Sequence, residues 1–180
     1  MNKEKIESLL LKIKELEDEI DEELEKGKSK LECDFHKEKI SILRYIAEAK
    51  LLHIITAPVI YSMIIPAVIM DIFVSVYQFI CFPVYKIVLV KRGDYIIIDR
   101  YKLPYLNMIQ KINCIYCGYF NGLIAYTMEI ASRTEQYWCP IRHSKRAKLT
   151  HSRYFKFLNY GDGRDLSKRW DKLREELAKK

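Results

Sequence analysis

Four residues in the C-terminal half have the types and spacing to hold a metal. Cys114-Ile115-Tyr116-Cys117 is a C-x2-C pair, and Cys139-Pro140-Ile141-Arg142-His143 is a C-x3-H pair separated from it by 21 residues. Two thiolates two residues apart can grip one metal from a tight turn, and Gly118 directly after them would let that turn close. Pro140 suits the first turn of a helix, on which Cys139 and His143 would point the same way. Three thiolates and one imidazole make a closed tetrahedral set, so structural zinc is the first expectation. An iron–sulfur or redox thiol centre is the second, because a Cys3His set also serves some clusters. Cysteines packed as small apolar residues are the bland alternative.

Other residues carry weaker chemical signals. Arg133, Glu135, Tyr137 and Trp138 directly precede Cys139. They could orient His143 or receive a ligand, or simply form a helix end with an interfacial aromatic anchor. Asp71 stands alone in an apolar block, where an ionisable residue is costly and often functional. It could equally mark a hairpin tip in water. His53 and Cys81 lie at opposite ends of that block, and separate structural roles suit them better than a shared site. Arg142, Lys145, Arg146 and Lys148, with Arg153, Tyr154 and Phe155 after them, form a basic run that fits phosphate-bearing lipid headgroups. RNA is the lesser reading. No catalytic motif is legible: there is no G-x-S-x-G, no phosphate-binding glycine loop and no H-E-x-x-H, and only six glycines are present.

The elements that must position these residues follow from hydrophobic period and charge. Residues 3–26 predict an amphipathic helix, with Ile6, Leu9, Ile13, Leu16 and Ile20 at steps of three and four and Leu10 and Leu24 beside them. That spacing also allows a short coiled coil. Lys26-Gly27-Lys28-Ser29-Lys30 predicts a turn, and a second helix over about 31–52 would fold back on the first. From Leu51 to Tyr85 there is no Lys, Arg or Glu, and Asp71 is the one Asp. Pro58, Pro66 and Pro83 fall inside this block and divide it into two apolar helices, about 51–69 and 71–84, expected to form a spanning or re-entrant membrane hairpin. Arg44 and Lys50 before it, and Lys86, Lys91 and Arg92 after it, place both termini on the cytoplasmic side of a bacterial inner membrane. Ile87–Val90 and Tyr95–Ile98 are β-branched runs around Lys91-Arg92-Gly93-Asp94 and predict a small β-ribbon. Helices are expected over about 121–138 and 164–179.

Charge sorts the chain the same way. The first 26 residues hold ten acidic and five basic side chains, a net of −5, and residues 91–180 hold nine acidic and 19 basic, a net of +10, within a total of +7. Five cysteines and no cleavable signal peptide predict reduced thiols rather than a disulfide framework.

Two resemblances add expectations. The C-x3-H ending is loosely similar to the CDGSH iron–sulfur domain, although that domain opens with C-x-C and here Pro-Ile follows Cys139 in place of Asp-Gly. More extensively, His53-Ile54-Ile55-Thr56-Ala57-Pro58, Ile80-Cys81-Phe82-Pro83-Val84-Tyr85, Asn113–Cys117 and Arg133-Thr134-Glu135-Gln136-Tyr137-Trp138-Cys139-Pro140-Ile141 resemble a family of small uncharacterised bacterial membrane proteins over about residues 50–162. That resemblance implies a membrane location and no mechanism.

The resulting expectation is a mainly α chain in three parts. Residues 1–50 would be a helical hairpin or short coiled coil, open to a homo-oligomer or protein partner. Residues 51–90 would be a membrane-inserted hairpin, and residues 91–180 a basic cytoplasmic α+β metal-binding domain. The first functional reading is a membrane-anchored metal-binding scaffold. The rivals are a membrane-surface redox enzyme using the same four ligands and a lipid-processing enzyme with Asp71 or Glu135 as acid/base. Membrane lipids are the expected partners, with nucleic acid set aside.

Overall fold

The computed structural model describes residues 3–34, 41–145 and 147–178. The chain is mainly α-helical, as expected: α1 (Lys3–Asp34), α2 (Ile42–Ala47), α3 (Leu51–Ser62), α4 (Ile64–Val84), α5 (Met108–Trp138) and α6 (Leu166–Ala178). It divides into two compact units, residues 1–49 with 100–112, and residues 50–99 with 113–180.

In the first unit, α1 runs straight through the expected turn at Lys26–Lys30. One helical glycine costs only about 1 kcal/mol relative to alanine. Lys26 also pairs with Glu22 at 3.9 Å and with Glu23 at 2.9 Å across the preceding turn. The expected second helix over 31–52 is therefore not the element found. Its first residues belong to α1, residues 35–40 lie outside the described ones, and only Ile42–Ala47 forms a separate short helix. Ser41 caps α2 by accepting from the Arg44 N–H at 3.3 Å. At the start of α5, Asn107 and Gln110 cap each other reciprocally, each side-chain oxygen accepting the other's backbone N–H at 2.9 Å.

In the second unit, the expected membrane hairpin is absent. α3 and α4 follow one another through Met63, whose backbone is itself right-handed helical, so Leu51–Val84 is one apolar helix of 34 residues with a flaw. Pro66 explains the flaw. Having no N–H, it cannot bond the carbonyl of Ser62, four residues back. Because Pro66 stands in the first turn of α4, where donors are free anyway, the chain resumes rather than reverses. Asp71 accordingly lies within α4 and not at a tip.

α5 packs along α4 in parallel. Tyr61 meets Asn113, Asp71 meets Tyr119, Gln78 meets Tyr126, Tyr77 meets Thr134 and the Tyr85 ring lies tilted against Tyr137, so the numbering runs in the same direction along both. The core between them is Ala67, Phe82, Leu123, Tyr126 and Ile130, closed by Ile87, Val90 and Leu177. α6 seals the far end, with the Trp170 Nε1–H and the Arg174 Nε–H donating to the Tyr137 carbonyl at 2.8 and 3.0 Å. Those bonds satisfy a carbonyl that the end of α5 leaves free.

Parallel helices need a long return, and its first part, residues 85–99, is a strap that lies against both and is extended on either side of a short 3-10 turn at Arg92–Asp94. The expected β-ribbon at 87–90 and 95–98 is not formed: no strand occurs among the described residues. Val90 pairs instead with the Gln78 side chain, whose Oε1 accepts the Val90 N–H at 3.0 Å and whose Nε2 donates to the Val90 carbonyl at 3.2 Å. The strap crosses α5 at Gly122. A Cβ there would stand 2.6 Å from the Tyr95 carbonyl oxygen and 2.8 Å from the Ile96 Cα, both backbone atoms. Gly122→Ala is expected to cost about 1–3 kcal/mol through overpacking, more than the roughly 1 kcal/mol that better helix propensity returns. Hydrogen exchange should accelerate over 87–98, and an unchanged strap would contradict this close approach.

Candidate functional site

α5 decides the fate of the four expected metal ligands. Cys114 and Cys117 lie one turn apart inside α5, not on a knuckle, and Gly118 is a buried helical residue rather than a turn. Cys139 follows the last residue of the same helix, and His143 lies in the loop beyond. At 1.5 Å per residue, Cys114 and Cys139 are separated by roughly 35–40 Å along the axis. The structure does not bring the two pairs together. Among the described residues no three His, Cys, Asp or Glu side chains converge on one point.

The residues expected to support that site have other partners. Arg133 bonds Glu129 at 2.8 Å and the Val88 carbonyl of the strap. Glu135 pairs with the His151 ring at 2.8 Å. Tyr137 and Trp138 both contact the Tyr85 ring, at 5.0 and 5.3 Å, and the Arg174 guanidinium lies 4.8 Å above Tyr137. Arg142 is a structural clamp: its guanidinium donates to the Tyr154 and Phe155 carbonyls and to Asn159. His53 is exposed in the first turn of α3, and Arg146 lies outside the described residues.

Two features remain. The first is an open recess of about 550 Å³ beyond the end of α5, lined by Glu135, Cys139, His143, Ser144, Lys145 and Tyr160 among others. The His143 N–H donates to the Tyr154 hydroxyl at 2.8 Å, and the two rings stack, which fixes the loop that carries Ser144 and Lys145. Cys139 and His143 do share this recess, although Cys114 and Cys117 do not.

The second is an inverted distribution of polarity. Asp71, Ser75 and Gln78 fall on one side of α4 and face α5. Asp71 takes two hydrogen bonds from Arg92, at 2.6 and 3.2 Å, and one from the Tyr119 hydroxyl at 3.0 Å. Further along, Glu129 accepts from Arg133 and Arg153 at 2.8 and 2.9 Å, and Arg153 also reaches Gln136. Burial pushes the Glu129 carboxyl up, but these two guanidinium groups outweigh it and hold it below the ordinary glutamate value. The opposite side of α4 is apolar and exposed: Ile69, Ile72, Phe73, Val76, Phe79 and Ile80. At 100° per residue this stripe is centred well over a right angle from Asp71, Ser75 and Gln78. α3 is apolar and exposed nearly all round, and only 11% of the most apolar stretch of Leu51–Val84 is buried. On α5, Ile115, Ile124 and Met128 are exposed as well, although not on one face. Sequence reasoning isolated Asp71 but missed its partners. The i, i+4, i+7 spacing of Asp71, Ser75 and Gln78, and of Glu129, Arg133 and Gln136, was the signal available.

Among the described residues one helix, Leu51–Val84, is long and apolar enough to cross a membrane. Comparison with known proteins gives no match: no family model, no curated protein and no solved structure is similar to this chain.

Proposed function

We propose that this chain is a one-sided membrane protein of the cytoplasmic face whose recess beyond α5 receives a phosphate-bearing lipid headgroup. The observation that carries the reading is the inverted polarity of α4, apolar outward and polar inward. A soluble helix would bury its apolar stripe, and water would not tolerate one this extensive. The strap argues against passage of the whole Leu51–Val84 helix through the bilayer. It lies beside α4 as backbone outside any α-helix, with Lys91, Arg92 and Asp94 exposed, and lipid excludes such backbone. α3, with 12 residues, is roughly 18 Å long against a hydrocarbon core of about 30 Å. α3 therefore sits within one leaflet, α4 rests its outer stripe on the acyl region, and the strap faces water.

At the recess, Lys145, Ser144 and the His143 ring supply donors for a phosphate, with exposed Lys148 close in sequence. Arg142 shapes the loop rather than binding, because its guanidinium is already engaged.

Topology tests the reading. In a cysteine-free background, Lys50→Cys and Ser144→Cys should both resist an impermeant thiol reagent in spheroplasts and both react in inverted membrane vesicles. Labelling from opposite sides would overturn it and restore a spanning helix. For the recess, brominated phosphatidylglycerol should quench tryptophan emission more than brominated phosphatidylcholine, since half-exposed Trp138 directly precedes Cys139, which lines it. Lys145→Glu should remove most of that preference, a change of about tenfold or more in relative affinity.

A further inference from the structure

α1 carries a stripe that nothing among the described residues covers. Leu9, Ile13, Leu16, Ile20 and Leu24 are between 50% and 60% exposed on a helix of 32 residues. The first four recur at steps of four, three and four, which is the heptad seam and not the broader face of a helix packed on a domain. Ile13 and Ile20 take the a positions, and Leu9 and Leu16 the d positions. Branched isoleucine at a with leucine at d suits the geometry of two parallel strands. The same register puts Lys12 at g and Glu17 at the following e. In a parallel pair those are the positions that face each other across the seam, so a second copy presents the opposite charge twice.

We propose that α1 forms a parallel two-stranded coiled coil with α1 of a second copy of this chain, in the register Leu9-d, Ile13-a, Leu16-d, Ile20-a, with Lys12 of each copy against Glu17 of the other. The seam ends where Glu23 and Gly27 take the next d and a positions. It is therefore short, and its strength depends on the charge pairs more than a long zipper's would.

The full chain in detergent should sediment as a dimer at micromolar concentration and low salt. Lys12→Glu should weaken the dimer about tenfold, because two attractions become repulsions. Adding Glu17→Lys should restore it. Leu11→Lys, at an outward f position with Leu11 64% exposed, should leave it unchanged. In the cysteine-free background, Ile13→Cys should form a disulfide with its own counterpart and Asp18→Cys should not. A monomeric wild-type chain, or a double charge reversal that fails to restore the dimer, would overturn the proposal. Rescue of Lys12→Glu by Glu19→Lys instead would overturn the parallel register, because g faces g only in an antiparallel pair.

Discussion

Glu129→Gln is expected to destabilise the second unit by about 3 kcal/mol, the cost of removing one partner from a buried ion pair. Glu129, Arg133 and Arg153 are 15%, 16% and 24% exposed at their side chains. The substitution keeps shape and removes charge, leaving two guanidinium groups facing each other with little water. It also unseats two neighbours, since Arg133 holds the strap through the Val88 carbonyl and Arg153 holds the C-terminal loop through Gln136. Glu176→Gln makes the contrast. Its pair with Lys156 is mostly exposed, at 35% and 54%, and should be worth no more than about 0.5 kcal/mol. Thermal unfolding in detergent measures both. The pH dependence is fixed in sign. The folded Glu129 carboxyl titrates below the ordinary value of 4.5. Its contribution is complete above that value and is lost as pH falls through the depressed folded one. The wild type should therefore lose stability on acidification below about pH 4.5, and Glu129→Gln should lack that component. Equal acid sensitivity in the two proteins would sink the argument.

Gln78→Leu should cost a similar amount, about 3 kcal/mol, by a different route. Gln78 is 8% exposed. Its amide takes the place of a neighbouring strand for Val90, engaging both the N–H and the carbonyl, and it also meets the Tyr126 hydroxyl. Leucine fits the space but strands the Val90 N–H and carbonyl, each worth about 1–3 kcal/mol when unsatisfied, and leaves the Tyr126 hydroxyl with Ser75 at 3.4 Å, less the gain from an apolar side chain. The Val90 amide should then exchange with solvent far faster, while amides of α6 distant from the strap keep their protection. Retained protection at Val90 would mean that the strap is held by its own apolar residues.

These two residues also mark what the sequence could not disclose. The apolar block was legible, because a run from Leu51 to Tyr85 with one charge has few physical explanations. α6 was legible from the Gly161-Asp162-Gly163 loop before it and from a charged composition nearly all round. The β-branched runs at 87–90 and 95–98 read as a ribbon because local propensity cannot record that Gln78 takes the hydrogen bonds of Val90 and the Leu177 carbonyl that of the Val88 N–H. The C-x2-C pair misled for a related reason. A spacing of three serves a helix turn as well as a metal knuckle, and Gly118, read as the residue that closes the knuckle, is a buried residue of the helix. Cys, Tyr, Asn and Gly are poor helix formers, so the first half of α5 was invisible by composition. The Asn107–Gln110 capping box was the one local sign of its start.

The parallel arrangement of α4 and α5 also orders the events of synthesis. Each of their contacts joins residues about 50 apart in the chain, 48 for Asp71 with Tyr119 and 57 for Tyr77 with Thr134. At about 5–20 residues per second, the ribosome supplies the matching part of α5 roughly 3–10 s after each segment of α4. During that interval α4 has an oily side ready for lipid and a polar side with no companion. On the proposed membrane reading, the bilayer is thus the first partner the nascent helix can satisfy, and the ion pairs are assembled afterwards on a surface already moored.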